Sequence, residues 1–247
     1  MNYRNPTLLG IAASAILTVL VIAGSRNLEY FDPALFGYTI ASIVALGAIV
    51  FRYALWLQRP ATRAYFWRGL DLFFKRDRIG KNAASAAGTI ATNLIEQRFI
   101  SKRSFTRWAM HFLIMWGCIL SALVTFPLVW GWVHFKLEGD RGYRAYLFGF
   151  STVVLDGRSV LAWIQFHALD FTAVMVLAGC AIAIHRRLTD RGAIASQTFL
   201  LDFTPHMLLI AVSVSGLMLT ASSLWFAGYM YSFISLSHQA LVIMTLF

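Results

Sequence analysis

Six histidines, His111, His134, His167, His185, His206 and His238, stand in or beside long apolar runs of this sequence. An imidazole in hydrocarbon is costly unless something pairs with it, and ionisable side chains inside membrane spans are candidates for function by default. The plainest role for one such histidine is a hydrogen bond between helices. Several at matched depths suggest more. Neutral imidazole is a haem-iron ligand, and a haem with both axial positions filled suits electron transfer.

The elements that must carry these residues are set by composition. Of 247 residues, 59% are hydrophobic and 13% charged, against about 25% charged in an ordinary soluble domain. Mean hydropathy is +0.66. The apolar residues fall in blocks of about the 20 residues a bilayer core requires. The blocks lie at about 8–24, 34–57, 107–133, 159–184, 203–224 and 231–247. They predict an all-α polytopic membrane protein, a bundle of five to six transmembrane helices with the last cut short. A β-barrel is excluded, because its strands would alternate apolar and polar residues over short segments. The first block shares features with a secretory signal, Arg4 before it and small residues at its end, but its apolar stretch is long for one. We expect it to be retained as a span. The last block ends at MTLF with no polar anchor, and we expect the natural chain to run on.

The formal net charge is +10, yet nucleic acid is not the expected partner. The basic residues cluster at the ends of apolar blocks, where topology signals sit, and the lipid bilayer is the partner they imply. Eleven Lys and Arg fall in 58–107, which makes 58–106 a basic cytoplasmic loop and places the N-terminus inside. Arg186, Arg187 and Arg191 put the 185–202 loop on the same side. The 135–158 loop then faces out despite four cations. Within the basic loop, RAYFWRGLDLFFKR (63–76) mixes aromatics and cations like an interfacial amphipathic helix. KNAASAAGTIATN (81–93) reads as loop. The same basic segment offers a surface for a soluble partner. Cys118 and Cys180 lie inside apolar blocks without metal-binding spacing, so they are expected as free thiols. Any iron–sulfur cluster would belong to a partner or to chain beyond this sequence.

At about 1.5 Å rise per residue, His111 and His206 each lie about one turn from the inner end of their blocks. His167 and His238 are eight and about seven residues from the outer ends of theirs, roughly 10–12 Å deep. That pair suits two axial imidazoles on one haem between neighbouring helices. His111 would serve a second haem, with His206 or a residue beyond Phe247 as its partner. A competing pair is His167 and His185, eighteen residues apart and on one helix face. Arg186 and Arg187 beside His185 favour an interfacial basic cluster instead. His134, in WGWVHF, is either an aromatic-belt histidine or part of a quinol site. Asp170, three residues after His167, either orients that imidazole, takes a quinol proton or bridges to another helix. Gly117, Gly131, Gly179 and Gly216 allow close helix approach and would make room for a flat macrocycle.

The stretch RWAMHFLIMWG (107–117) is similar to the RW-x-x-H-x-L-I-F-W-G pattern of membrane cytochrome b proteins like the nitrate reductase gamma subunit. The resemblance extends to the haem b anchors of heterodisulfide-reductase-like complexes. A bacterial group often labelled MFS transporter, found with nitrate assimilation or respiration genes, resembles the chain further. That resemblance runs through TFPLVWGWVHF (125–135), YRAYLFGF (143–150), FHALDFTAVMVLAG (166–179) and DFTPHMLLIAVSVSGLMLT (202–220). It implies a dihaem cytochrome b of the bacterial cytoplasmic membrane, and one or two b haems are expected in this chain. Such a subunit relays electrons between the quinone pool and a soluble or peripheral iron–sulfur or molybdenum oxidoreductase subunit. By the same resemblance His111, His167 and His238 fit ligand positions. Relatives continue their last helix through a Pro-Phe-Gly-Lys stretch to another histidine that would pair with His111, and they tend to carry an apolar residue where His206 stands. Two other readings remain open: a secondary transporter for an anion such as nitrate, and a cofactor-free membrane anchor. The transporter reading lacks the repeats and broken helices such carriers usually display.

Overall fold

The computed structural model describes residues 3–196 and 198–247. In chain order its helices are α1 (Arg4–Gly24), α2 (Phe36–Trp56), α3 (Pro60–Phe73), α4 (Ile79–Thr89), α5 (Arg98–Ser101) and α6 (Phe105–Val129). A sheet follows, made of β1 (Val133–Glu138), β2 (Gly142–Leu147) and β3 (Phe150–Asp156). Then come α7 (Val160–Phe166), α8 (Ala168–Thr189), α9 (Arg191–Ser196), α10 (Phe199–Trp225) and α11 (Tyr231–Thr245). Among the described residues five helical stretches are long and apolar enough to cross a membrane: Arg4–Gly24, Pro33–Trp56, Phe105–Val129, Ala168–Thr189 and Leu200–Trp225. Their outward faces carry large apolar side chains such as Ile11, Val44 and Leu123, each at least half exposed. Lipid suits such faces, because a helix satisfies its own backbone hydrogen bonds without water. The chain is a multi-pass, all-α membrane protein with one small sheet.

Residues 1–18 and 43–108 form one compact unit, and 19–42 with 109–247 form a second. In the first, α1 and α2 approach closely through small residues. A Cβ on Gly10 would lie 2.8 Å from the Gly47 carbonyl oxygen. Ser14 Oγ donates to Ile43 O at 2.9 Å. This is the small-residue interface that lets helices pack in lipid. In the second unit α10 packs against both α8 and α11. There α6 meets α8 where a Cβ on Gly117 would strike Val176 Cγ2 at 2.6 Å and one on Gly179 would strike Ile114 Cγ1 at 2.7 Å. These two glycines are filled by neighbouring side chains, so they make no room for a macrocycle. Gly131 serves a turn rather than a helix contact. Only at Gly216, whose Cβ would lie 3.4 Å from His238 Cε1, does the glycine face a candidate ligand.

Several boundaries differ from the expected blocks. Helix α6 stops at Val129 rather than 133. Gly131 has φ +68°, Gly131 N donates to Leu128 O at 3.1 Å and Trp132 N to Pro127 O at 2.9 Å. That is the Schellman arrangement, which left-handed glycine closes. The loop beyond it is the antiparallel sheet β1-β2-β3, with Val133 opposite Leu147 and Leu147 opposite Phe150. Phe148 and Gly149, the two residues between β2 and β3, both have positive φ, as the tight hairpin turn requires. The fourth block is interrupted. His167, at φ −102° and ψ 10°, separates α7 from α8, so it caps the span rather than lying eight residues inside one. Residues 81–93 are helix, in α4 and a π turn (Ile90–Ile95). Five alanines there carry high helix propensity despite the polar surroundings. Helix α11 has 15 residues, fewer than a full crossing needs.

Candidate cofactor site

At the end of the second unit where α10 begins and α8 closes, a cavity of about 430 Å³ opens between α6, α8 and α10. His111 from α6 and His206 from α10 both line it, as do Arg186 and Arg187 from the last turn of α8. Ile114, Met115 and Leu209 supply apolar wall. The two histidines come together because each lies about two turns inside its helix from the same end. The guanidiniums come with them because α8 runs antiparallel to both and ends there.

His206 is oriented by its own helix. Its Nδ1 donates to Asp202 O at 2.8 Å. Only a protonated Nδ1 can serve a carbonyl, so in the neutral ring Nε2 is the bare nitrogen. Metal-bound histidines are commonly held this way, with the second nitrogen donating to a carbonyl or carboxylate. Asp202 has two further contacts. Its Oδ1 pairs with Arg187 Nη1 at 3.2 Å, and its Oδ2 accepts from Thr198 N at 2.8 Å. Arg186 Nη2 pairs with Asp190 Oδ2 at 3.2 Å. The cavity therefore presents two imidazoles, apolar wall and two guanidiniums steadied by carboxylates. That donor set fits a flat apolar macrocycle with axial nitrogen ligands and acidic edges, the chemistry of a haem. Among the described residues no three or more His, Cys, Asp or Glu gather to hold a bare metal ion.

The same tautomer recurs at the opposite end. His167 Nδ1 donates to Asp170 Oδ2 at 2.7 Å, and Thr220 Oγ1 donates to Asp170 Oδ1 at 2.7 Å. His238 Nδ1 lies 2.9 Å from Ser215 Oγ. That hydroxyl donates back to Ala211 O at 2.7 Å, so it accepts from the imidazole. His238 thus leans on α10 directly and His167 only through Asp170, at Ser215 and Thr220, and each leaves Nε2 bare. Asp170 does orient His167, and through Thr220 it also bridges helices. His185 is exposed and does not line the cavity, so the His167–His185 pairing finds no common site.

His134 lies elsewhere. On β1 its ring is stacked between Tyr30, at 4.0 Å and 16°, and Tyr146, at 4.7 Å and 7°. Both ring nitrogens are buried and without a hydrogen-bond partner. Lys136 Nζ sits 4.8 Å from the Tyr30 centroid and 5.6 Å from that of Tyr146. Burial pushes the His134 pKa down. Lys136 adds to that effect, Glu29 opposes it and Arg26 adds a little more. At the sheet edge Arg144 grips Glu138 through two bonds of 2.5 and 2.6 Å. That hydrogen bonding holds the Glu138 carboxyl below its usual range.

Arg187, Asp202, Ser215 and Thr220 were not among the expected site residues. For Asp202 a sequence signal existed: an acid one turn before His206 in an apolar run. Ser215 and Thr220 give none, since small hydroxyls are common in spans. No protein-family model matches the chain, and no curated protein and no solved structure matches it.

Proposed function

We propose that this chain is a membrane-bound b-type cytochrome subunit of the bacterial cytoplasmic membrane, relaying electrons between the quinone pool and a soluble iron–sulfur or molybdenum partner. The observation that carries the reading is the convergence of His111 and His206 on one cavity, with Nδ1 of His206 spoken for and its Nε2 bare. A haem bound there would supply one-electron chemistry inside the bilayer. His111 and His206 would hold it, and Arg186 and Arg187 would face its acidic edge. His167 and His238 are the candidates for a second site, with Asp170 and Ser215 fixing their rings. Asp170 is also placed to exchange a proton at His167 Nδ1. His134, stacked between Tyr30 and Tyr146 on β1, does not line the cavity and would act, if at all, at a separate quinol contact.

The test is the visible spectrum of purified His111→Ala, His206→Ala and His238→Ala variants against the parent chain. The reading expects either cavity variant to lose one b-type component while His238→Ala leaves that component in place. If all three variants keep the parent spectrum, the ligand set is wrong.

A second reading has an observation in its favour. The Asp170–Thr220 and His238–Ser215 bonds join α8 to α10 and α11 to α10, and a cofactor-free anchor would use its polar groups in that way. A purified chain that is colourless yet folded would favour it.

A further inference from the structure

The segment between α2 and α6 belongs to neither histidine site. We propose that α3 and its flanking cations form a docking surface for anionic phospholipid, lying on the headgroups of the same bilayer that α2 and α6 cross.

Three observations converge on that occupant. The first is topological. Helix α2 ends at Trp56 and α6 starts at Phe105, and no candidate span lies between them. The segment therefore leaves and re-enters on one face of the bilayer. Helix α3 starts at Pro60, four residues past Trp56, a tether of at most about 14 Å. The far end is tied down too, since Trp108 Nε1 donates to Glu96 O at 2.8 Å. Asn82 Nδ2 donates to Leu72 O at 2.9 Å and Phe73 O at 3.0 Å, which joins α3 and α4 into one elbow.

The second is the exposed apolar surface. No residue of α3 is buried. Tyr65 is 82% exposed and Trp67 58%, and Phe74, just past the helix, is 61% exposed. At 100° per residue Arg68 and Asp71 share a narrow polar face. Tyr65, Phe66, Leu70 and Phe73 spread across the rest with Arg63 among them, and Leu72 and Trp67 lie at the borders. Aromatic rings of this kind favour the headgroup level of a bilayer.

The third is charge. Eleven Lys and Arg in 58–107 face three acids, Asp71, Asp77 and Glu96. Lys and Arg beside a membrane are attracted by anionic headgroups, and their long stems let the charge stay wet while the rings dip. An acidic protein would answer the cations alone. An anionic membrane surface answers the cations and the rings together, at the distance the tether allows.

The test reconstitutes the full chain in nanodiscs of phosphatidylcholine, with or without phosphatidylglycerol. A nitroxide is placed by Tyr65→Cys in a Cys118→Ala, Cys180→Ala background, and its collisions with oxygen and with a water-soluble nickel reagent are compared. The proposal expects oxygen to dominate only when phosphatidylglycerol is present. It also expects the preference to fade when Arg63 and Arg68 become Gln. Hydrogen exchange of residues 60–104 in the unaltered chain is the parallel measurement, and at least a tenfold slowing with phosphatidylglycerol is expected. A label equally immersed in both lipids would remove the charge requirement and overturn the proposal. So would a label that stays in water in both and is immobilised only by an added acidic protein.

Discussion

Replacing His134 by Phe tests how the sheet is held together. In the parent chain the ring is sandwiched at 4.0 and 4.7 Å between Tyr30 and Tyr146, and both its nitrogens are buried without partners. A buried polar group left unpaired costs about 1–3 kcal/mol. Phe keeps the flat shape and the stacking while removing both nitrogens. Taking the lower end for each, closing the sheet gains about 2 kcal/mol, roughly thirtyfold in the opening equilibrium. Backbone amides of β1 and β2 should therefore exchange about thirtyfold more slowly, read by hydrogen-exchange mass spectrometry of peptides covering 133–147. Acidity gives a second handle on the same residue. The folded-state pKa of His134 lies below its ordinary value of 6.5, so the open state binds the proton more readily. The stabilisation from keeping the ring neutral is complete above about 6.5 and is lost as pH falls below it. Opening in the parent should rise as pH falls below 6.5, and His134→Phe should abolish that rise. Unchanged or faster exchange in the Phe variant, with the acid sensitivity retained, would refute the reasoning.

Other perturbations probe separate contacts. Glu138, whose pKa is lowered by its bond to Arg144, stabilises the sheet above its ordinary value of 4.5, and this contribution is lost as pH falls further; Glu138→Gln should remove that lower acid step alone in the same exchange experiment. Ser215→Ala leaves the His238 Nδ1–H without its acceptor and should lower stability by about 1–3 kcal/mol, measured by thermal unfolding in detergent. Gly179→Leu forces side-chain atoms against Ile114, whose Cγ1 already lies 2.7 Å from where a Cβ would sit; about 1–3 kcal/mol of overpacking cost is expected in the same assay. Asp202→Asn removes the Arg187 ion pair, a loss of at most about 1 kcal/mol in stability for a partly exposed pair, while redox titration should register a changed midpoint for the component lost in His206→Ala.

The spans were legible because five apolar runs match the bilayer and little else produces such runs. The sheet was not. Its strands, VHFKLE, GYRAYL and FSTVVLD, follow directly on an apolar helix, and the β2–β3 turn is marked by only one glycine, Gly149. The break at His167 has neither Gly nor Pro beside it; its local backbone shape and the Asp170 contact become visible only in three dimensions. For the candidate site, helical rise alone set His111 and His206 at similar depth, and they meet at one cavity. The family resemblance pointed away from His206. Arg186 and Arg187 were legible as charges that orient the chain, not as groups lining a pocket, because a shared membrane side does not say which helices adjoin.

The most direct measurement is a reduced-minus-oxidised visible spectrum of the purified chain from haem-replete cells, with a pyridine haemochrome assay of the same sample. A haem held by this cavity gives a b-type α-band that weakens in His206→Ala. A folded protein with no such band would contradict it.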